Sequence, residues 1–346
     1  MMIIGCDFHP SWQQVSWLDT ETGETGERKL VQAAGEAERF YRQLPVPALI
    51  GMEATGNCHW LVDLLAELGH ELWVGDAAQI RASCVRQQKT DRRDAEHIRI
   101  LLQEGRFPRI WMPSSEVRDL RQLLLHRYKL VTIRARVKNE LQHLCLNQGV
   151  QRKHKLWSQA GQKVLRELPL KPWAARRRED LLALLAMFDQ QIDPLDRAVK
   201  EEAQRDKMAL LLQTQPGVGA VTALAYVLTM GDVSRFARGK QVASYLGLIP
   251  REHSSGGRQK LGAISKQGNR MLRMLLVEAA QVAVRFDPEM KKEYLHRCHQ
   301  KPKGVAKVAA ARKLAVRLYW MLRTQVGYPE IVRIESSPRV HLVGAS

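Results

Sequence analysis

The feature that most limits what this chain can fold into is the order of short apolar runs near its N-terminus. Met1 to Cys6 is one such run, and Trp12 to Leu18 is a second, with Val15 and Trp17 alternating against polar neighbours in the period of a strand. Asp19 to Gly26 is a turn by composition, after which Arg28 to Val31 can return as the third strand of an antiparallel meander. The order then changes. A helical stretch from Ala34 to Gln43 leads through Pro45 and Pro47 to a buried-strand run, Ala48 to Met52; Leu61 to Leu68 reads as an amphipathic helix and Glu71 to Val74 as the next strand. A meander followed by alternating helix and strand predicts a mixed sheet flanked by helices.

Four acidic residues fall at particular places in that order. Asp7 sits where the first strand is expected to end, and Glu53 follows the last apolar residue of the fourth; sheets of this kind present side chains to the crevice beyond their strand ends. Asp91 and Asp94, in Lys89-Thr-Asp-Arg-Arg-Asp-Ala-Glu-His97, are spaced i, i+3, which puts both carboxylates on one face at the start of a helix running to Glu104. Four carboxylates brought together repel unless a cation neutralises them, and hard oxygen ligands suit Mg²⁺ or Mn²⁺. Each also has an ordinary use by itself: a turn for Asp7, a solvated strand end for Glu53, an N-cap for Asp91 and a first-turn charge for Asp94.

Charge divides the chain. Of 346 residues, Lys and Arg number 54 and Asp and Glu 36, a formal charge of +18. Residues 1–110 carry 12 basic and 16 acidic side chains, net −4, and residues 111–346 carry 42 and 20, net +22. A polyanion is the expected partner of the second region. No apolar run reaches the roughly 18 residues that a membrane-spanning helix needs, so no membrane association is expected, and a cytoplasmic, nucleoid-associated protein is. The cysteines Cys6, Cys58, Cys84, Cys145 and Cys298 are scattered and include no Cys-x-x-Cys pair, which argues against both a disulfide framework and a zinc site.

From Val117 to Leu144 apolar residues recur every three or four positions, predicting one long amphipathic helix. A second helix carries Leu181, Leu185, Phe188, Ile192, Leu195 and Val199, a heptad seam that Pro194 is expected to bend or interrupt. The pair reads as an antiparallel hairpin or an intermolecular coiled coil, with an ordinary bundle layer as the alternative. Two basic clusters, residues 151–155 and Arg176 to Arg178, are expected either to touch phosphates or simply to be solvated.

Farther on, Pro216, Gly217 and Gly219 form a tight turn before an apolar helix from Ala220 to Met230. This looks like the turn of a helix-hairpin-helix motif, whose backbone N–H groups bind a nucleic-acid phosphate, although a purely structural turn has the same composition. Tyr245-Leu-Gly-Leu-Ile-Pro250 then leads into a polar loop, Arg251-Glu-His-Ser-Ser-Gly-Gly-Arg258, followed by Lys260, Lys266, Asn269, Arg270 and Arg273 and a helix from Met271 to Val284. A serine between glycines and cations is where a hydroxyl can approach a backbone phosphate, though such loops are commonly only loops.

Together these residues resemble a family. Ile3-Ile-Gly-Cys-Asp7, Met52-Glu-Ala-Thr-Gly56, Lys89-Thr-Asp-x-x-Asp94-Ala95, Pro216-Gly-Val-Gly219, Tyr245 to Pro250, Ser255-Gly256 and Ile264-Ser-Lys-Gln-Gly-Asn-x-x-Leu-Arg273 are similar, in order, to DEDD-class insertion-sequence transposases of the "one-ten" family. That family resembles RuvC Holliday-junction resolvases at its N-terminus and includes bridge-RNA-guided recombinases and the Piv invertases.

The resemblance implies a fold of α/β plus α type: an RNase H-like, RuvC-like domain at 1–112, a helical coiled-coil or dimerisation region at 113–205, a mostly helical transposase domain at 206–335 and a flexible tail at 336–346. It implies Asp7, Glu53, Asp91 and Asp94 as a Mg²⁺-binding tetrad, with Mn²⁺ as the other suitable ion, and Ser255 as a nucleophile; the adjacent Ser254 leaves the choice of hydroxyl open. The serine and the tetrad would then have to meet in one composite site. Gly217, Gly219, Arg251, Arg258, Lys260, Lys266, Asn269, Arg270 and Arg273 would bind nucleic acid. The implied partners are double-stranded donor and target DNA, a structured noncoding bridge RNA and further copies of the chain, as a dimer or tetramer. The alternatives are a RuvC-like, metal-dependent junction nuclease that uses water, and a non-catalytic nucleic-acid-binding protein on the same scaffold.

Overall fold

The computed structural model describes residues 1–45, 47–84, 90–151, 155–252 and 260–336. Ser254, Ser255 and Arg258, part of the basic cluster at 151–155 and the tail beyond Ser336 lie outside the described residues. The chain divides into two compact units, Met1–Ser115 and Glu116–Ser346.

The first unit follows the order of its apolar runs. β1 (Met2–Phe8), β2 (Trp12–Asp19) and β3 (Thr25–Val31) are followed by α1 (Glu36–Arg42), β4 (Leu49–Glu53), α2 (His59–Glu67), β5 (Glu71–Gly75), α3 (Ala77–Ala82) and α4 (Asp91–Gln103). The five strands form one sheet in the order β3-β2-β1-β4-β5, an RNase H-like arrangement. β2 pairs antiparallel with β1 and β3, whereas β4 pairs parallel with β1 and β5.

Period-two alternation on β1 sends successive side chains to two different cores. Ile4 and Cys6 pack with Tyr41, Ile50, Met52, Leu61 and Leu65, in the layer built with α1 and α2. Ile3 packs with Ile98, Leu101, Leu102 and Phe107, in the layer built with α4. Each of these aliphatic side chains contributes roughly 2 kcal/mol by leaving water. β1 runs beyond Cys6 to Phe8, so Asp7 lies within the strand rather than just past its end, because Asp7 and Phe8 continue the ladder against Gln14 and Gln13.

The second unit opens with α5 (Ser115–Asn147), α6 (Gln159–Glu167) and α7 (Pro172–Arg205). Leu130, Val137, Leu141 and Leu144 of α5 and Phe188 and Ile192 of α7 share one core with Leu165 of α6. The heptad seam is thus filled from within the chain. Arg127 pairs with Asp196, Arg134 with Asp189 and Arg177 with Glu140. Along α5 the partner number on α7 falls as the residue number rises, which defines an antiparallel hairpin. α7 continues across Pro194. The proline removes one N–H from the helical ladder, while Ile192 and Val199, both fully buried, hold the helix on either side. Arg176, Arg177 and Arg178 are paired with Asp180, Glu140 and Glu179.

The remaining elements are α8 (Lys207–Gln213), α9 (Ala220–Met230), α10 (Gly239–Tyr245), β6 (Pro250–Glu252), β7 (Leu261–Ile264), α11 (Arg270–Phe286), α12 (Pro288–Gln300), α13 (Lys303–Thr324) and α14 (Tyr328–Ser336). Leu224, Tyr226, Leu276, Ala280, Leu314 and Leu318 lie at the centre of their core. Within it Asp287 and Arg317 form an ion pair whose side chains are 1% and 0% exposed. None of the five cysteines is in a disulfide. Among the described residues, no helix is long and apolar enough to cross a membrane.

Candidate active site

The sheet and α4 together build an acidic corner in the first unit. β1 lies so close to α4 at Gly5 that a Cβ there would stand 2.0 Å from the Ala95 carbonyl oxygen and 2.5 Å from the Arg99 nitrogen. Asp7, two residues on, is on the same face. Asp91 and Asp94 lie about one helical turn before Ala95 and Ile98, on the approach of α4 to that face. Thr90, with its side chain accepting from the Arg93 N–H, is the N-cap of α4, so Asp91 is the first helical residue and not the cap.

Asp7 is 19% exposed and Asp91 52%. Burial pushes the Asp7 carboxyl above the usual carboxylate range; His9 opposes this, and the nearby charges of Asp94 and Asp91 add to it. An acid held in this way gains from a cation beside it. Among the described residues, one ligand atom each of Asp7, His9 and Asp91 lie within 4.8 Å of one another. His9 Nε2 is 3.2 Å from Asp7 Oδ2 and 4.0 Å from Asp91 Oδ1. These donors fit a divalent ion, with carboxylate oxygens for charge and an imidazole at the edge.

Glu53 reaches the same face by register. Gly5 stands beside Gly51 and Cys6 beside Met52 on the parallel strand β4, which places Glu53 next to Asp7 in the sheet. Its carboxylate is paired with Arg81 of α3, Nη2 to Oε1 at 3.3 Å. The structure thus draws Asp7 and Asp91 together and brings the charge of Asp94 to bear on Asp7, while it engages Glu53 with an arginine. His9 is the residue that sequence reasoning missed. The Asp-x-His spacing was the available signal, since it sets a second ligand type two residues from Asp7, just past the end of β1.

In the second unit the turn glycines have different jobs. Gly217 has φ +87°, and a Cβ there would stand 2.4 Å from the Ala279 carbonyl, so glycine is needed for backbone conformation and for contact with α11. Gly219 is the N-cap of α9 and has nothing within 4 Å of a built Cβ. β6 and β7 pair antiparallel, which brings Glu252 opposite Leu261. Arg251, Lys260, Lys266 and Arg270 are exposed around this ladder. Asn269 caps α11 through the Leu272 N–H and donates to Thr229, and Arg273 donates to the carbonyls of Leu246 and Gln267; both side chains also hold the fold together here.

A mixed five-stranded sheet with acidic residues on its central strand and on an adjoining helix start is thus followed in the chain by a basic helical unit. Residues 209–295 match the family described as Transposase IS116/IS110/IS902 family, and residues 4–149 match a second model of the same group, described as Transposase. The chain belongs to this family of insertion-sequence transposases and is a DNA transposase by class.

It is 31% identical over 328 residues to a probable family 20 transposase of Pseudomonas aeruginosa, covering 92% of this chain and 96% of that one. It is 28% identical over 296 residues to the transposase for insertion sequence element IS1328 of Yersinia enterocolitica, covering 81% and 84%. A pilin gene-inverting protein of Moraxella bovis is 27% identical over 336 residues, covering 91% and 90%.

Proposed function

We propose that this transposase cuts and rejoins DNA through a phosphoserine intermediate formed by Ser255, with a divalent ion, Mg²⁺ or Mn²⁺, held by Asp7, Glu53, Asp91 and Asp94. The observation that carries the metal reading is the part-buried Asp7 carboxyl, raised by burial and by two neighbouring aspartates on a helix pinned to its strand. When bound, the ion would supply Lewis-acid polarisation of the phosphate and charge for the developing alkoxide. Glu53 would join by exchanging Arg81 for the ion.

In this reading the Ser255 Oγ–H attacks a DNA phosphodiester. The Oγ–P bond forms as the P–O bond to the departing strand breaks; the hydroxyl proton is lost, and the departing strand end takes up a proton as an alcohol. A hydroxyl of the incoming strand reverses the exchange, so no water is consumed. The chemistry requires the serine to be delivered to the tetrad. Residues 1–112 would hold the ion, 113–205 would assemble a dimer or tetramer, and 206–335 would carry the serine and the phosphate contacts of Gly217, Gly219, Arg251, Arg258, Lys260, Lys266, Asn269, Arg270 and Arg273. A structured noncoding RNA pairing with donor and target DNA would supply sequence choice; the +22 charge of residues 111–346 supports a polyanionic partner of either kind.

The test is a covalent-adduct assay. The protein is co-expressed with the noncoding sequence flanking its gene, mixed with labelled donor and target DNA and Mg²⁺, and resolved on a denaturing gel beside Ser254→Ala, Ser255→Ala and Asp7→Ala. The expected adduct is lost in Ser255→Ala and Asp7→Ala and kept in Ser254→Ala. Cleavage without an adduct, unchanged in Ser255→Ala, would overturn this reading in favour of a water-using junction nuclease.

A further inference from the structure

His9 stands outside the four carboxylates of the metal reading, yet its geometry is that of a ligand. An octahedral ion with bonds of about 2.1 Å sets adjacent donors about 3.0 Å apart and opposite donors about 4.2 Å apart. The separations of His9 Nε2 from Asp7 Oδ2 and Asp91 Oδ1, 3.2 and 4.0 Å, fall within that span.

The imidazole is also held in place before any ion arrives. Its ring stacks on Trp12, with centroids 4.1 Å apart and an interplanar angle of 24°, and the Lys29 ammonium sits 4.1 Å from the same indole centroid. The backbone of the β1–β2 turn is fixed at both groups of His9: its N–H donates to the Trp12 carbonyl at 2.9 Å, and its carbonyl accepts from the Gln32 side chain. The aromatic stack and the two main-chain bonds fix where the ring stands beside Asp7.

We propose that His9 is itself a ligand of the divalent ion, which makes the centre a mixed nitrogen and oxygen site that discriminates in favour of Mn²⁺ over Mg²⁺. This rests on the metal reading given above. Mg²⁺ demands oxygen donors and keeps its water, so an imidazole adds little to its binding. Mn²⁺ shares the carboxylate preference of Mg²⁺ but, as a first-row transition ion, tolerates an imidazole among its oxygen donors better than Mg²⁺ does. The competing role for His9 is an outer partner that only hydrogen-bonds Asp7.

Untagged full-length protein titrated with Mn²⁺ and followed by electron paramagnetic resonance decides between them. The expected result is ¹⁴N modulation from a directly bonded imidazole in the wild type. It should be absent from His9→Asp, which still binds Mn²⁺ through an all-oxygen set but with a Mn²⁺ to Mg²⁺ affinity ratio lowered about tenfold or more. A circular dichroism melt of each variant checks that it is folded. Mn²⁺ bound in an Asp7-dependent manner without ¹⁴N modulation would overturn the role of His9 and leave the metal reading standing, as would modulation that survives in His9→Asp. Failure of the wild type to bind Mn²⁺, or binding unchanged in Asp7→Asn, would overturn the metal reading and this inference together.

Discussion

Gly5→Ala tests whether the contact between β1 and α4 sets the geometry of the acidic corner. The added methyl carbon would lie 2.0 Å from the Ala95 carbonyl oxygen and 2.5 Å from the Arg99 nitrogen, where ordinary contact begins at 3.4 Å. Both obstacles are backbone, so no side chain can turn aside and the helix must retreat by more than ~1 Å. Overpacking of this kind costs about 1–3 kcal/mol of stability. Because Asp91 and Asp94 travel with the helix while Asp7 stays with the strand, the same shift opens the site; a displacement of ~1 Å at a reacting centre costs on the order of 100-fold in rate. Urea unfolding gives the first quantity, and strand cleavage with Mg²⁺ in excess gives the second. Gly304→Ala, with nothing within 4 Å of its built Cβ, is the control for both. A folded Gly5→Ala protein that binds Mn²⁺ and cleaves DNA as the wild type does would refute the claim that this contact positions the carboxylates.

Three further outcomes are expected. Asp287→Ala should cost about 3–5 kcal/mol in denaturant unfolding, because it removes the carboxylate that balances the charge of the fully buried Arg317, and Asp287→Ser with Arg317→Met, which keeps an N-cap and removes both charges, should recover most of it; a double variant no better than the single one would show that the pair is not the cause. Asp287 and Asp7 should act oppositely in acid. Burial pushes the Asp287 carboxyl up, but the Met290 N–H and Arg317 outweigh it and leave it below its ordinary value, so its stabilisation is present above 3.8 and is lost as pH falls through the depressed value. The Asp7 carboxyl is raised, so its own contribution is most favourable below 3.8 and declines as pH rises through the raised value; Asp7→Asn should therefore melt higher than the wild type at neutral pH in the presence of a chelator, and a lower melting temperature would contradict the burial argument. Gly217→Ala should destabilise the second unit by more than about 1 kcal/mol, since it meets both a left-handed backbone and the Ala279 carbonyl, whereas Gly219→Ala should change stability little; equal melting temperatures for the two would be the wrong result.

Much of the first unit was legible because its strands are short runs whose period and turns agree: the order of β1 to β5 and the start of α4 at Asp91 follow from alternation and helix-start chemistry. Ends were less legible, as with Phe8, which extends β1 past Asp7 by pairing that no single run of residues reveals. α3 was missed since six residues carry too little periodicity, although Asp76, its N-cap, was a usable sign. α12 and α13 escaped because Lys and Arg interrupt any clean apolar stripe: α12 buries only Met290, and the first half of α13 buries mainly alanines such as Ala306, Ala310 and Ala311. At the acidic corner, the residue types announced a cation, but the pairing of Glu53 with Arg81 and the stacking of His9 on Trp12 depend on tertiary neighbours. Likewise the pairing of Arg176 to Arg178 with Asp180, Glu140 and Glu179 was not legible in a cluster whose sequence allowed either phosphate contact or a solvated face.

The hairpin of α5 and α7 carries a rule about length. Its core and its ion pairs, from Arg127 with Asp196 to Arg177 with Glu140, recur along two facing helices. A single inserted residue turns everything beyond it by about 100° and swings core side chains such as Val137 and Leu141 toward water. Seven inserted residues, about two turns, restore the face, but leave the opposite helix short unless it gains the same seven. The arm can therefore grow or shrink only in matched steps of roughly 10 Å, so relatives that vary in this region should differ by paired heptads, one on each side of residues 148–171.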